Sequence, residues 1–414
     1  MNPRPRAVIY SDCPVFGGAD NLLVHLLGES PLSRDYELAF VYRNNPNFAE
    51  GVRRKIKTSA PVSWVSFPDR LEWIEAMEKR VRGRFLRKSI KIFFRLIEYP
   101  LFLYELLALR AEFAAYRPQL VHINNGGYPG ALGCRAAALA ARLAGAKRVV
   151  FNVNSTALRA RLPWELPDLA IDRAVIACSD AFVTASASAG RALERRGFPG
   201  GLIRQIPNAI RLPPSLRPPA DIRRELGLAP GDVVLAMIAF FESLKGHRVL
   251  LEALRLLAAR RPGGLAGVQV LFIGEGSERE ARRRDAEKSG LSGHTRFLGY
   301  RTDALDILNA CDALLLPSVS AEDMPYSILE AMALSKPVIA SSLSGIPETV
   351  EAGLTGLLVP PGDAEGLSRA LGQLIDDPAL RRDMGREGRV RFLEQFEASR
   401  ACERYRGLYR ELLS

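Results

Sequence analysis

Two carboxylates eight residues apart, Glu322 and Glu330, flank a helix start within Ser318 to Ala340, SVSAEDMPYSILEAMALSKPVIA. Asp323 suits the N-cap and Pro325 the first turn, so the backbone N–H groups of Met324, Tyr326 and Ser327 would point out of the positive end of the helix. Such an end is a socket for an anion. Tyr326 and Glu330 share a face by i,i+4 spacing and Ser327 joins it by i,i+3, while Ile328, Leu329, Met332 and Ala333 form an apolar face. Two further side chains could do chemistry. Lys245, at the head of another helix, brings a cation, and Asn154, at a strand end, can hydrogen-bond a hydroxyl but shuttles no proton near neutral pH.

These groups need strand ends to stand on. After Lys336, Pro337 stops the helix and VIAS reads as a buried strand, which puts the socket where open α/β sheets place ligands. AVIYSDCPVFGGADNLLVHLL reads as strand, loop and helix, with Gly17 and Gly18 just before the helix, where backbone comes close to a ligand. QLVHINN and RVVFNVNS are strand-and-loop units that set His122 and Asn154 at their ends, His122 being a core residue about as readily as a ligand. DVVLAMIAFFESLKGHRVLLEAL gives a strand, a loop and a helix starting near Lys245. VQVLFIGEGSERE adds a Gly274-x-Gly276 turn, RFLGY a strand closing on Gly299 and Tyr300, and SGIPETV a loop with Gly345 and Glu348. Pro207, Pro213, Pro214, Pro218 and Pro219 read as a stiff linker.

The E-x7-E spacing resembles the signature of the GT-B nucleotide-sugar glycosyltransferases, glycosyltransferase family 4 or group 1 glycosyl transferases. The resemblance spans nearly the whole chain and is most specific from Arg296 to Asp363. It implies an α/β, GT-B architecture: two Rossmann-like lobes with parallel sheets facing across a cleft. Residues 1–206 would be the acceptor-side lobe, 207–220 the linker, 221–395 the nucleotide-sugar-binding lobe, and 396–414 a helix crossing back to the first lobe. In the family the first Glu meets the donor sugar and the second holds the ribose hydroxyls, roles that fall on Glu322 and Glu330. By the same likeness Met324, Pro325, Tyr326 and Ser327 belong to the donor socket, Gly17 and Gly18 to the loop opposite the phosphates, Lys245 to the diphosphate, and Gly299 and Tyr300 to the base loop.

What the resemblance implies is retaining transfer of a sugar from a UDP- or GDP-linked donor to a hydroxyl of a glycan or lipid-linked glycan, with no cofactor besides the donor. The chain holds no D-x-D triplet, so the leaving diphosphate would be stabilised by Lys245 and helix N-termini without a metal, with Glu322, Lys245 and Asn154 as the catalytic set. Several positions depart from the family pattern. Asn154 stands where relatives often have His, Phe240 where they have Arg, Ala209 where the IPNG turn has Gly, and Asp323 where Gly commonly follows the first Glu. These keep open a nucleotide-sugar-binding protein without turnover. A phosphorylase or sugar-phosphate synthase on the same scaffold also stays open.

Composition sets the remaining bounds. At 414 residues, 48% hydrophobic and 25% charged, the chain has the make-up of a globular protein of two domains. No apolar run is long enough to cross a bilayer, and the N-terminus leads almost directly into a strand, which predicts a cytoplasmic protein. Five scattered cysteines without a CxxC pair agree with a reducing compartment and no structural zinc. The net charge of +11 lies in the first half: residues 1–210 carry 30 basic and 18 acidic side chains, residues 211–414 carry 27 and 28. No nucleic-acid-binding signature accompanies that excess. Instead, an insertion at 79–116 reads as a basic amphipathic helix. Arg84, Arg87, Lys88, Lys91 and Arg95 gather on one arc with Phe, Leu and Ile opposite, and no acidic residue lies from Lys79 to Ile97. Residues 84–97 therefore suit an anionic membrane surface, and the expected location is peripheral on the inner face of the plasma membrane.

Overall fold

The computed structural model describes residues 4–14, 16–17, 20–28, 30–67, 77, 84–158, 166–320 and 322–414, with backbone alone for 84–96 and 166–167. The chain divides into two compact units. Unit 1 takes residues 1–184, 190–206 and 402–414, and unit 2 takes 185–189 and 207–401.

Unit 1 is built on a seven-stranded parallel sheet in the order β3-β2-β1-β4-β5-β6-β7. The strands are β1 (Arg6–Ser11), β2 (Glu37–Arg43), β3 (Val62–Val65), β4 (Leu120–Asn125), β5 (Arg148–Val153), β6 (Ala181–Thr184) and β7 (Ile203–Gln205). Helices cover both faces, so the central strands are apolar throughout rather than alternating with polar residues. The pleat still divides them: Val8 and Tyr10 of β1 join one core while Ala7 and Ile9 join the other.

The helix Arg84–Tyr116 runs for 33 residues and contains Pro100. Its second half is no appendage, because Leu106, Leu109 and Phe113 are buried in the unit 1 core. Leu103, Tyr104 and Leu107 are more than half exposed on the same helix. The five cations expected to form its basic arc lie outside the described side chains. No helix among the described residues is long and apolar enough to cross a membrane.

Unit 2 repeats the plan with six parallel strands in the order β10-β9-β8-β11-β12-β13. They are β8 (Val233–Ile238), β9 (Val268–Ile273), β10 (Thr295–Gly299), β11 (Ala313–Leu316), β12 (Val338–Ser341) and β13 (Gly356–Val359). Val234 and Ala236 face one core, Leu235 and Met237 the other. The proline-rich segment ahead of β8 is stitched into this unit. The Ile210 N–H donates to the Phe396 carbonyl at 3.0 Å, the Ala398 N–H to the Ile210 carbonyl at 2.9 Å, and the Arg217 N–H to Asp306 Oδ1 at 2.9 Å.

Candidate functional site

At the carboxyl ends of β8 and β11 the structure brings together two residues 77 positions apart. Lys245 Nζ donates to Glu322 Oε1 at 2.5 Å, and the Ser318 hydroxyl donates to the same oxygen at 2.9 Å. The backbone holds the two loops together. Val319 N–H donates to the Leu244 carbonyl at 2.8 Å, and Gly246 adopts φ +79° with its Cα so close to the Pro317 carbonyl that a Cβ would overlap it. Ser318 is 0% and Glu322 6% exposed, so the carboxylate lies beneath the surface with a charge-assisted partner already in place.

The helix after this loop spans Tyr326–Ala333 and starts later than its sequence suggests. Pro325 is the N-cap, at φ −68° and ψ 133°, and has no side chain to offer the first turn. Asp323, expected to cap, instead accepts the Ser186 hydroxyl and is 4% exposed. Burial pushes its carboxyl up to about 6, against the pull of the Ser186 hydroxyl and with help from the negative charges of Glu348 and Glu322. Asn208 Nδ2 donates to the Met324 carbonyl at 3.0 Å, and the Met324 side chain turns into the core. On the helix itself Ile328, Leu329 and Met332 are buried, while Tyr326, Ser327 and Glu330 are half-buried.

The neighbouring strand ends carry two large exposed rings. Phe240 after β8 is 61% exposed and Tyr300 after β10 is 64% exposed. Between them, Gly274 and Gly276 approach the backbone of Ala239 to Phe241 so closely that neither has room for a Cβ, so this pair is a packing device between strand ends. The Tyr300 N–H donates to Glu275 Oε1 at 3.3 Å, and a Cβ on Gly299 would come within 2.8 Å of that same oxygen. Arg301, the other cation near this edge, is held by Asp303 at 2.6 Å and Glu225 at 3.1 Å.

Two further residues near these strand ends, both in helices, have structural employment. His247 stacks on Phe241 at 4.1 Å between ring centroids, and burial holds its imidazole down at about 4, with the Arg282 and Lys245 charges adding to the effect. Glu348 accepts the N–H groups of Ala187 and Ser188 at 2.8 Å each, closing the first turn of the helix Ala187–Arg195.

In unit 1 the ends of β1, β4 and β5 carry a buried polar chain. Asn154 Nδ2 donates to Asn124 Oδ1 at 2.8 Å and to the Asn125 carbonyl at 2.9 Å, and Asn124 Nδ2 donates to Asp20 Oδ1 at 3.1 Å. Asp20 Oδ2 accepts the Gly17 N–H at 3.0 Å, and burial pushes the Asp20 carboxyl up. A backbone carbonyl only accepts, so the Asn154 amide must turn its nitrogen to these two oxygens. The Gly17 N–H is thus committed to its own turn, and Gly18 lies outside the described residues. Nothing in local spacing marks Asp20 or Asn124. Beside them a cavity of about 330 Å³ is lined by Asp12, Arg43, Glu105, Asn125 and Gly127 among others, residues the sequence reading passed over because they come from four separate segments. His122 is not at this mouth. It is 0% exposed, shares a 2.5 Å hydrogen bond with the Tyr409 hydroxyl, stacks on Tyr405 and is held at about 4 by burial, which makes it a core residue.

Comparison with known proteins finds a glycosyltransferase model for each half of the chain. Residues 220–391 match the family model of glycosyl transferases group 1, and residues 62–212 match that of glycosyltransferase family 4. The lipopolysaccharide core biosynthesis glycosyltransferase LpsE of Rhizobium meliloti is 34% identical over 43% of this chain and 49% of its own length. The phosphatidyl-myo-inositol mannosyltransferase of Mycolicibacterium smegmatis is 36% identical over 36% of this chain and 38% of its own. The chain spans about half the length of the curated relatives it matches. In fold it resembles the crystal structure of HepE from Anabaena in complex with UDP-glucose, with a TM-score of 0.72 at 19% identity over 98% of this chain and 99% of the other. Over residues 62–212 and 220–391 the chain is thus similar to the glycosyl transferases of family 4 and of group 1.

Proposed function

We propose that the protein is a retaining, metal-independent glycosyltransferase that moves a sugar from a UDP- or GDP-linked donor to an acceptor hydroxyl. The observation that carries this reading is the Lys245–Ser318–Glu322 cluster at the carboxyl ends of the unit 2 strands, beside the N-terminus of the helix Tyr326–Ala333. Lys245 and that helix end, with the N–H groups of Tyr326 and Ser327, suit the diphosphate; Glu322 meets the sugar, Glu330 the ribose hydroxyls, and the loop at Gly299 and Tyr300 the base. The crystal structure of HepE with UDP-glucose supports a nucleotide-sugar donor by likeness of fold. In the reaction the bond from the anomeric carbon to the diphosphate oxygen breaks, and the diphosphate keeps the electron pair. The acceptor oxygen bonds the same face of that carbon, and its proton passes to the departing diphosphate. Positive charge preorganised on the leaving group is the main catalytic contribution of this chain.

The acceptor is a lipid-linked or cell-envelope glycan, taken at the strand ends of unit 1, where Asn154 offers its amide oxygen to a hydroxyl. Relatives named for lipopolysaccharide core biosynthesis and phosphatidyl-myo-inositol support that class. The basic run at 84–97 then serves an anionic membrane surface, and the protein works peripherally on the inner leaflet. Sedimentation with anionic liposomes at low salt, released at high salt and absent with neutral liposomes, is the expected result; equal recovery with both removes the membrane from the reading.

Phe240 favours one competing reading, a nucleotide-sugar-binding protein without turnover, since it leaves Lys245 as the single side-chain cation of the expected pair. The decisive experiment is a thermal-shift screen against UDP, GDP and their sugars, followed by release of nucleotide from the sugar that binds. Stabilisation with release supports the transferase; stabilisation without release supports the binding protein; no stabilisation by any of them rejects both.

A further inference from the structure

We propose that the Lys245–Glu322 pair is a charge latch: a nucleoside diphosphate entering unit 2 draws Lys245 away from Glu322, while Ser318 keeps the carboxylate in place. The inference rests on the nucleotide-sugar reading of this site and adds a device that distinguishes donor from product.

The two partners are built differently. The Lys245 side chain is 21% exposed and the Glu322 side chain 8%, so the ammonium lies outside the carboxylate it pairs with. A lysine carries three rotatable donors on a flexible stem and changes partner by rotation. Glu322 is the more deeply buried of the two and is also held by Ser318, which follows directly on Pro317 where Gly246 presses. Oε1 of Glu322 takes two donors, and one of them, the hydroxyl of the 0% exposed Ser318, stays when Lys245 leaves.

Opening the latch removes a cation from a carboxylate that is 6% exposed, and losing a charge-assisted hydrogen bond at so buried a group is costly. A complete nucleotide sugar repays that cost, because its sugar hydroxyls donate to Glu322 while its diphosphate takes Lys245. A nucleoside diphosphate takes Lys245 and offers Glu322 nothing. The latch therefore weakens the product relative to the donor, and it closes again as the product departs. Ser318 is a positioning residue in this scheme, acting on the sugar through Glu322.

The test is calorimetric titration of the whole protein with inorganic diphosphate, UDP and GDP. Glu322→Gln is expected to bind the nucleoside diphosphate that wild type binds at least threefold more tightly, and to lose that gain when Lys245→Met is added. Unchanged or weaker binding in Glu322→Gln overturns the latch. If wild type binds none of the three probes, the nucleotide-sugar reading falls first, so the two failures are told apart. Ser318→Ala is expected to keep nucleoside diphosphate affinity and donor KM within twofold while donor hydrolysis falls at least tenfold in kcat. Equal losses of binding and turnover in that variant would make Ser318 a packing residue and overturn its positioning role.

Discussion

Gly246 stands directly against the carbonyl of Pro317, at a separation no Cβ would permit, and with φ +79° it occupies a backbone region that side chains disfavour. That contact holds the turn bearing Lys245 to the loop bearing Glu322. Gly246→Ala is expected to lower thermal stability and, in whatever fraction stays folded, to cut donor hydrolysis at least tenfold. A variant with wild-type turnover would show that Lys245 finds Glu322 without this backbone lock.

Lys245→Met should reduce turnover by on the order of a hundredfold, as loss of one preorganised donor to a developing charge does. Arg301 is not a ready substitute, because Asp303 and Glu225 already hold it. Steady-state donor hydrolysis with an unchanged circular dichroism spectrum checks this; near-normal activity would move the leaving-group role elsewhere.

Glu330→Ala is expected to weaken donor binding, since each charge-assisted hydrogen bond from a ribose hydroxyl contributes about 1.5–3 kcal/mol. Glu322→Ala is expected to act more on turnover than on binding. Folded variants in which neither change lowers activity tenfold would show that this pair of carboxylates does not serve the donor.

Asp323 carries a pH dependence of definite sign. Its carboxyl rises from the ordinary 3.8 to about 6 on folding, so between those values the unfolded chain binds fewer protons than the folded one. Stability from this group falls as pH rises through that window and stays lowered above it. Asp323→Asn, which keeps an oxygen for the Ser186 hydroxyl, should therefore raise stability by roughly 1–3 kcal/mol at pH 7 and have little effect at pH 4. Urea denaturation at the two pH values reads the difference; a variant destabilised at pH 7 would mean that the ionised form is the one the fold requires.

His247 gives the opposite slope. Neither ring nitrogen has a hydrogen-bond partner among the described residues, and the ring lies flat on Phe241. Its value drops from 6.5 to about 4, so the unfolded chain takes up the proton first and stability is lost as pH falls from 6.5 toward 4. His247→Phe should stabilise by about 1 kcal/mol or more at pH 7, by relieving buried polar atoms, and the gain should widen at pH 5. Thermal melts at both pH values decide it, and a loss at pH 7 would assign those nitrogens a partner.

Treatment with EDTA is expected to leave turnover intact, because the leaving diphosphate is assigned to Lys245 and backbone N–H groups. Loss of activity restored by Mg²⁺ or Mn²⁺ alone would put a metal on the diphosphate instead.

The features legible in the sequence are those set by neighbours along the chain. LVHINN and VIAS announce buried strands by their apolar runs, Pro337 announces a helix end by its fixed φ, and Ile328, Leu329 and Met332 announce a buried helix face by their spacing. Glu322 and Glu330 were visible for the same reason. The choice of polar partner was not. Asp323 is spaced to cap its own helix, yet it bonds Ser186, 137 residues away, because Pro325 starts the helix late and the packing of unit 2 brings that hydroxyl to it. Glu348 reads as one acid in a loop, and it accepts the N–H groups of Ala187 and Ser188, some 160 residues away. His122 reads equally as ligand or core and becomes core when Tyr405 and Tyr409 close over it. A side chain's hydrogen-bond partner is whichever complementary group the folded elements set within about 3 Å, and burial then fixes its charge; both quantities exist only once strands and helices distant in sequence have packed.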